Sequence, residues 1–213
     1  MSQKTENIDE SKQPLIQHLV ELRSRLIKSL ILISVLFVAA YIFADSIYNF
    51  LVQPYADAVS GDESRRLIFT ALHETFFTYL KVALFASIFI ALPFILIQIW
   101  IFVAPGLYKN EKSVVVPYLI ATPILFFIGA ALVYYFIMPL AIKFFLSFES
   151  IGGDGSLPIQ LEAKVNEYLS LVMRLIFAFG LSFQLPVILT LLARMGFASS
   201  EGLRKNRKYV IVG

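Results

Sequence analysis

The chain has 213 residues, of which 58% are apolar and only 15% charged, with a formal net charge of +3 and no cysteine. Such a balance lies well outside that of a soluble domain and reads as an integral membrane protein. The missing cysteines exclude disulfides, thiolate nucleophiles and cysteine-based metal or iron–sulfur sites.

Residues 1–25 read as a polar N-terminal region in which Leu15, Leu19, Leu22 and Leu26 recur at helical spacing, while Glu21 and Arg25 stand one turn apart on another face. The pattern predicts a short amphipathic helix at the membrane interface that runs into the first span. That span, Leu26 to Ala44, is interrupted only by Lys28 and meets the requirement of about 20 mainly apolar residues. "VAA" at Val38 to Ala40 has the look of a cleavage site, but the leader is long and carries Glu6, Asp9 and Glu10, so an uncleaved span is expected. A loop over 45–73, with turn material such as "SGDES", precedes a second span from Val82 to Val103. After the 104–113 loop comes a third, Val114 to Ile142, and after "SIGGDGSLP" a fourth, Leu175 to Ala193. "LRKNRKYVIVG" then reads as the cytoplasmic start of a fifth span that stops at Gly213 after a few residues.

The expected fold class is therefore an all-α polytopic membrane protein, a single transmembrane domain over 1–213, with four full spans and the start of a fifth. Pro93, Pro117, Pro123, Pro139 and Pro186 lie in or beside these spans, and each removes a helix hydrogen bond. Their number predicts a bundle of bent helices with a concave face, more a receptor than a straight bundle. Lysine and arginine sort unequally between alternate loops, twelve on the side of the N-terminus and six at most on the other. By the positive-inside rule the N-terminus and the loops 104–113 and 194–208 are cytoplasmic. Topology thus explains the basic excess, and nucleic acid is a poor candidate partner.

Chemistry is scarce. His18 and His73 fall at opposite ends of a span, so they form no metal pair or relay, and "GLSF" at Gly180 to Phe183 lacks the second glycine of a nucleophile elbow. No phosphate loop or dinucleotide turn is present. No enzyme and no cofactor is expected. Glu21 and Arg25 are either an ordinary i, i+4 pair, with Arg23 and Lys28 as topology anchors, or part of a site. Glu111 in "LYKNEK" either answers a helix dipole or joins Glu21 on the same membrane face in binding a cationic ligand, since carboxylates grip guanidinium groups through paired, charge-assisted hydrogen bonds.

These motifs carry a resemblance. "PLIQHLVELRSRLIKSL", "LVQPY", "ETFFTYLKVALF", "LPFILIQIWIFVAPGLYKNEK", "IGAALVYYFIMPLA" and "YLSLVMRLIFAFGLSFQLPVILTLLARMG" follow one another as in the C subunit of the twin-arginine protein translocase, TatC, which the chain resembles along its whole length. The resemblance implies a six-helix receptor of the bacterial cytoplasmic (inner) membrane, with both termini cytoplasmic. Such a receptor binds twin-arginine signal peptides of folded proteins and exports them with single-span partner subunits of the TatA and TatB type, in a homo-oligomeric assembly driven by the protonmotive force. It further implies that Glu21 and Glu111 receive the arginine pair, that Arg23 is the motif arginine of a working receptor, and that Phe102, Lys109 and Pro54 match other positions the family relies on. Gln184 in "SFQLP" stands where many members have glutamate, which removes a titratable group from within the bilayer. The rival readings are a small polytopic solute transporter, which calls for ionisable groups near mid-bilayer, and a structural membrane scaffold, which would tolerate loss of the interfacial acids.

Overall fold

A computed structural model describes residues 2–60, 65–103, 112–150, 152 and 157–194. Four stretches are long and apolar enough to cross a bilayer: His18–Ile42, Glu74–Ile99, Pro117–Leu146 and Val165–Thr190. They belong to α1 (Ser2–Ile42), α3 (Glu74–Val103), α4 with α5 (Lys112–Leu132 and Met138–Leu146) and α6 with α7 (Val165–Ser182 and Leu185–Arg194). The chain is a multi-pass membrane protein, all-helical among the described residues apart from two isolated β-bridges. Helices dominate because no water is present in the hydrocarbon to satisfy exposed N–H and C=O groups.

Two expectations from the sequence need correction. The second and fourth spans begin about two and about three turns earlier than their apolar runs, because the mixed stretches Glu74–Lys81 and Val165–Arg174 are already helical. Polar residues there face the bundle end, where Lys81 Nζ donates to Asn166 Oδ1 at 2.7 Å. The 45–73 connection also holds a helix, α2 (Ala44–Ala58), joined to α1 by a break at Phe43. Its buried residues Ala44, Leu51, Pro54 and Tyr55 recur at helical spacing. The amphipathic N-terminal region continues without interruption into the first span as α1, and the start of the fifth span lies outside the described residues.

Proline marks the interruptions. Pro139 has no N–H for the Tyr135 carbonyl, and the preceding turn widens into a π-helix over Val133–Ile137, closed by the Met138 N–H on the Val133 carbonyl. Pro186 likewise leaves the Ser182 carbonyl without its helical donor, and the chain breaks at Phe183–Gln184 between α6 and α7. In α2, Pro54 leaves the Phe50 carbonyl vacant, and here a side chain fills the gap. The Tyr134 hydroxyl, on the π-turn, donates to Phe50 O at 2.7 Å while its ring stacks on Phe50 with centroids 4.4 Å apart.

α3 lies at the centre, touching α1, α2, α4 and α6. Its seam with α1 uses small residues, Ala40 against Ala83 and Ala86. The main core packs Val82 and Phe85 of α3 with Ala130, Val133, Met138 and Ile142 of α4–α5 and Leu169, Val172 and Ile176 of α6, roofed by Leu51 and Tyr55 of α2. α4 and α6 cross so closely that a Cβ added to Gly129 would sit 2.8 Å from the Phe179 carbonyl oxygen, and one added to Gly180 would sit 2.5 Å from the Phe126 ring. Phe126 is fully buried. Small residues of this kind let membrane helices gain dispersion contacts that apolar attraction cannot supply in lipid.

At the α2 end, the two inter-span connections are tied together. Ile68, in the first, pairs with Ala163 and Val165 through backbone bonds of 3.0 and 2.9 Å, while within the second Ser150 pairs with Ile159 through bonds of 2.9 and 2.8 Å. Arg65 grips Glu149 by a two-pronged contact of 2.8 and 2.6 Å, and the Leu161 N–H donates to the same carboxylate at 2.8 Å. Both side chains are mostly shielded, 17% and 19% exposed.

Gly129→Ala is expected to destabilise the protein by roughly 1–3 kcal/mol, since backbone rather than a movable side chain meets the new methyl group; thermal unfolding in detergent reads it, and an unchanged midpoint would refute the close crossing. Tyr134→Phe should cost about 1–2 kcal/mol by stranding the Phe50 carbonyl. Pro54→Ala, which restores an N–H to that carbonyl, should make the Tyr134→Phe change milder. Equal costs of Tyr134→Phe in both backgrounds would disprove the substitution of hydroxyl for backbone donor.

Candidate functional site

At the end of the bundle opposite α2, α1 and α3 meet through a polar and aromatic cluster. His18, Glu21 and Arg25 are spaced three and four residues apart and so share one face of α1, and Gln98 and Phe102, four apart, share one face of α3. Arg25 donates from Nε and Nη2 to Glu21 Oε1, at 3.1 and 2.6 Å. Its remaining terminal nitrogen, Nη1, donates to Gln98 Oε1 at 2.5 Å, joining the two helices. One turn back, the His18 ring stacks on Phe102 with centroids 4.0 Å apart and planes 13° from parallel. His18 Nδ1 lies 4.0 Å from Glu21 Oε2.

The exposure is graded. Arg25 is 20% exposed, held in the seam, whereas Glu21 is 42% exposed. Ser29, one turn further in, is buried and turns its hydroxyl back to the Arg25 carbonyl at 3.0 Å. The cluster therefore runs from an apolar helix seam out to a carboxylate that solvent reaches. A carboxylate, an amide oxygen and stacked rings within one patch suit a planar cation with several N–H donors, which is the chemistry of a guanidinium group.

Of the residues singled out from the sequence, the structure brings Glu21 and Phe102 into this cluster. Arg23 is exposed and, two residues from both Glu21 and Arg25, points away from their face. Lys109 and Glu111 lie outside the described residues. Pro54 is at the other end of the bundle, buried in α2. Gln184 is buried at the α6–α7 break, where its Nε2 donates to the Thr122 carbonyl at 2.9 Å across to α4. It ties two helices together without contributing to the cluster. His18, Arg25 and Gln98 complete the site. The Glu21–Arg25 spacing signals its own half in the sequence, and nothing in the sequence joins Arg25 to Gln98, 73 residues away.

Comparison with known proteins places the whole chain. Residues 17–213 match the family model described as "Sec-independent protein translocase protein (TatC)". A curated TatC from Magnetococcus marinus is 47% identical over 207 residues, covering 97% of this chain and 73% of that protein. One from Escherichia coli K12 is 40% identical over 204 residues, with 96% and 76% covered. The crystal structure of the twin-arginine translocase receptor TatC in DDM superposes with a TM-score of 0.77 at 35% identity, covering 92% of this chain and 84% of that one. With nearly the whole chain matched in sequence and in fold, the protein belongs to the TatC family of Sec-independent protein translocases.

Proposed function

We propose that this chain is the receptor that admits folded proteins to a twin-arginine translocase, reading the consecutive arginines of their signal peptides at the cytoplasmic face of the inner membrane. The observation that carries the reading is that the α1–α3 cluster already accommodates a guanidinium group, held between a half-exposed carboxylate, Glu21, and an amide oxygen, Gln98. Glu21 receives one signal arginine and Glu111, from the 104–113 loop, the other; Phe102 and His18 offer a stacked face beside Glu21. Arg23 and Lys109, with the other basic groups of this side, hold the N-terminus in the cytoplasm. Export then proceeds with single-span partner subunits and further copies of this chain, driven by the protonmotive force.

A solute transporter calls for ionisable groups within its spans, whereas among the described residues the buried polar side chains apart from the tyrosines are Ser29, Thr78, Ser87, Thr122 and Gln184. Ser29, Thr78, Ser87 and Gln184 each bond to a helical carbonyl, and none of them is ionisable.

Photo-crosslinking of a twin-arginine signal peptide to the full-length protein in membrane vesicles provides the test. Glu21→Gln should weaken capture about 5- to 30-fold, the equivalent of roughly 1–2 kcal/mol for a charged partner at a half-exposed site. Replacing both peptide arginines by lysine should weaken it comparably, because a lysine ammonium cannot make the planar two-pronged contact. Capture indifferent to both changes would leave Glu21 an interface charge and sink the reading.

A further inference from the structure

We infer that Arg25 is a built-in occupant of the recognition site, a specificity-determining residue that a ligand guanidinium has to displace from Glu21. The inference rests on the receptor reading above and supplies its threshold. Glu21 is not an open carboxylate. Two of the three Arg25 guanidinium nitrogens converge on Oε1, at 3.1 and 2.6 Å, and the other oxygen, Oε2, faces His18 Nδ1 at 4.0 Å. A second guanidinium needs both oxygens for its parallel pair of bonds, so it cannot dock fully while Arg25 stays.

Three features make Arg25 an exchangeable occupant rather than a permanent one. It is tethered four residues from Glu21 on the same helix, so it competes at a high effective concentration without any association step. It has a second partner, since Nη1 on Gln98 Oε1 is independent of Glu21, and on displacement Arg25 keeps that bond and is not left as a stranded charge. It is the more shielded member of the pair, 20% against 42% exposed, so a ligand arriving from solvent meets Glu21 first.

The consequence concerns selectivity. A ligand with one arginine exchanges one guanidinium for another at Glu21, and the bonds gained approximate those lost. Only a second arginine, on a further acceptor, adds contacts that were not there before. Lysine does worse than break even, because a point charge must evict a forked one. The requirement for a pair of arginines then follows from the occupied state of the site.

The test compares Arg25→Gln and Arg25→Lys with the parent, all full-length in membrane vesicles, by crosslinking titration with signal peptides carrying Arg-Arg, Lys-Arg or Lys-Lys. Size-exclusion profiles confirm folding, and the lysine variant keeps the charge should glutamine perturb assembly. Arg25→Gln is expected to bind the Arg-Arg peptide about two- to fivefold more tightly, equivalent to roughly 0.4–1 kcal/mol for a partly exposed i, i+4 pair. The Lys-Arg peptide should gain more, so the selectivity ratio falls, with Arg25→Lys in between. Weaker binding, or an unchanged ratio between peptides, would overturn the inference and make Arg25 a residue that presents Glu21 to the ligand. Glu21→Gln separates the two levels. If it leaves capture intact, the receptor site itself is wrong; if it reduces capture while Arg25→Gln also reduces it, only the displaced-occupant inference falls.

Discussion

The structure depends on how backbone carbonyls are satisfied where proline denies them a donor. A carbonyl that loses its donor within a bilayer has no water to turn to, and at three of the prolines the structure shows a local solution, a different one at each. Beside Pro139 the helix widens into a π-turn; beside Pro186 it breaks. At Pro54 the vacancy at Phe50 is filled from another helix by the Tyr134 hydroxyl, which the π-turn places there. Two prolines far apart in sequence thus cooperate. One creates the turn that carries the tyrosine, and the other creates the acceptor it satisfies. α2 is fastened to the third span by this bond, and to α6 by Tyr168, whose hydroxyl donates to the Leu51 carbonyl at 3.2 Å.

Fastening α2 in this way makes the two ends of the bundle unlike. The α2 end is closed: the Arg65–Glu149 fork and the bridge at Ile68 join the two inter-span connections, and the Leu161 N–H and the Ser150–Ile159 bridge brace the second of them internally. Burial on that scale gives the ion pair a weak dielectric screen, so losing one partner costs more than at an exposed pair. The opposite end has no comparable roof among the described residues. There α1 leans on α3 through Ala40, Ala83 and Ala86 and then through polar groups, from Ser29 out to Glu21. The candidate site therefore lies on the α1–α3 seam, at the end away from the Arg65–Glu149 fork.

The spans are legible in the sequence because continuous apolarity is a one-dimensional signal, and so is the Glu21–Arg25 pair, because i, i+4 spacing on a helix is local. Of the prolines in the spans, Pro139 and Pro186 mark interruptions, whereas Pro93, Pro117 and Pro123 lie within helices that run on unbroken, a difference that spacing in the sequence does not reveal. α2 is missed because a search for membrane-long apolar runs passes over a helix of 15 residues whose Asp45, Asn49, Gln53 and Asp57 form a polar face, although their spacing of four is itself helical. Apolar runs mark the second and fourth spans too late, since helix begins before apolarity does. Gln98 is beyond reach. A glutamine in "LIQIW" carries no mark of function until the fold sets it against Arg25.

That pairing explains how a receptor can keep a carboxylate at a membrane interface and still release its ligand. A bare carboxylate moved to a partly dehydrated seam would be costly, and a fully buried one would need a permanent partner whose removal costs several kcal/mol. Glu21 avoids both extremes by being half exposed and locally neutralised by Arg25. On the proposed displacement of Arg25, recognition is an exchange between similar contacts, and its net free energy is the small difference between the bonds made to the ligand and the bonds given up by Arg25. Small differences favour reversibility, which a receptor that hands its cargo onward requires, and they leave discrimination to the number of guanidinium groups offered rather than to the strength of any one of them.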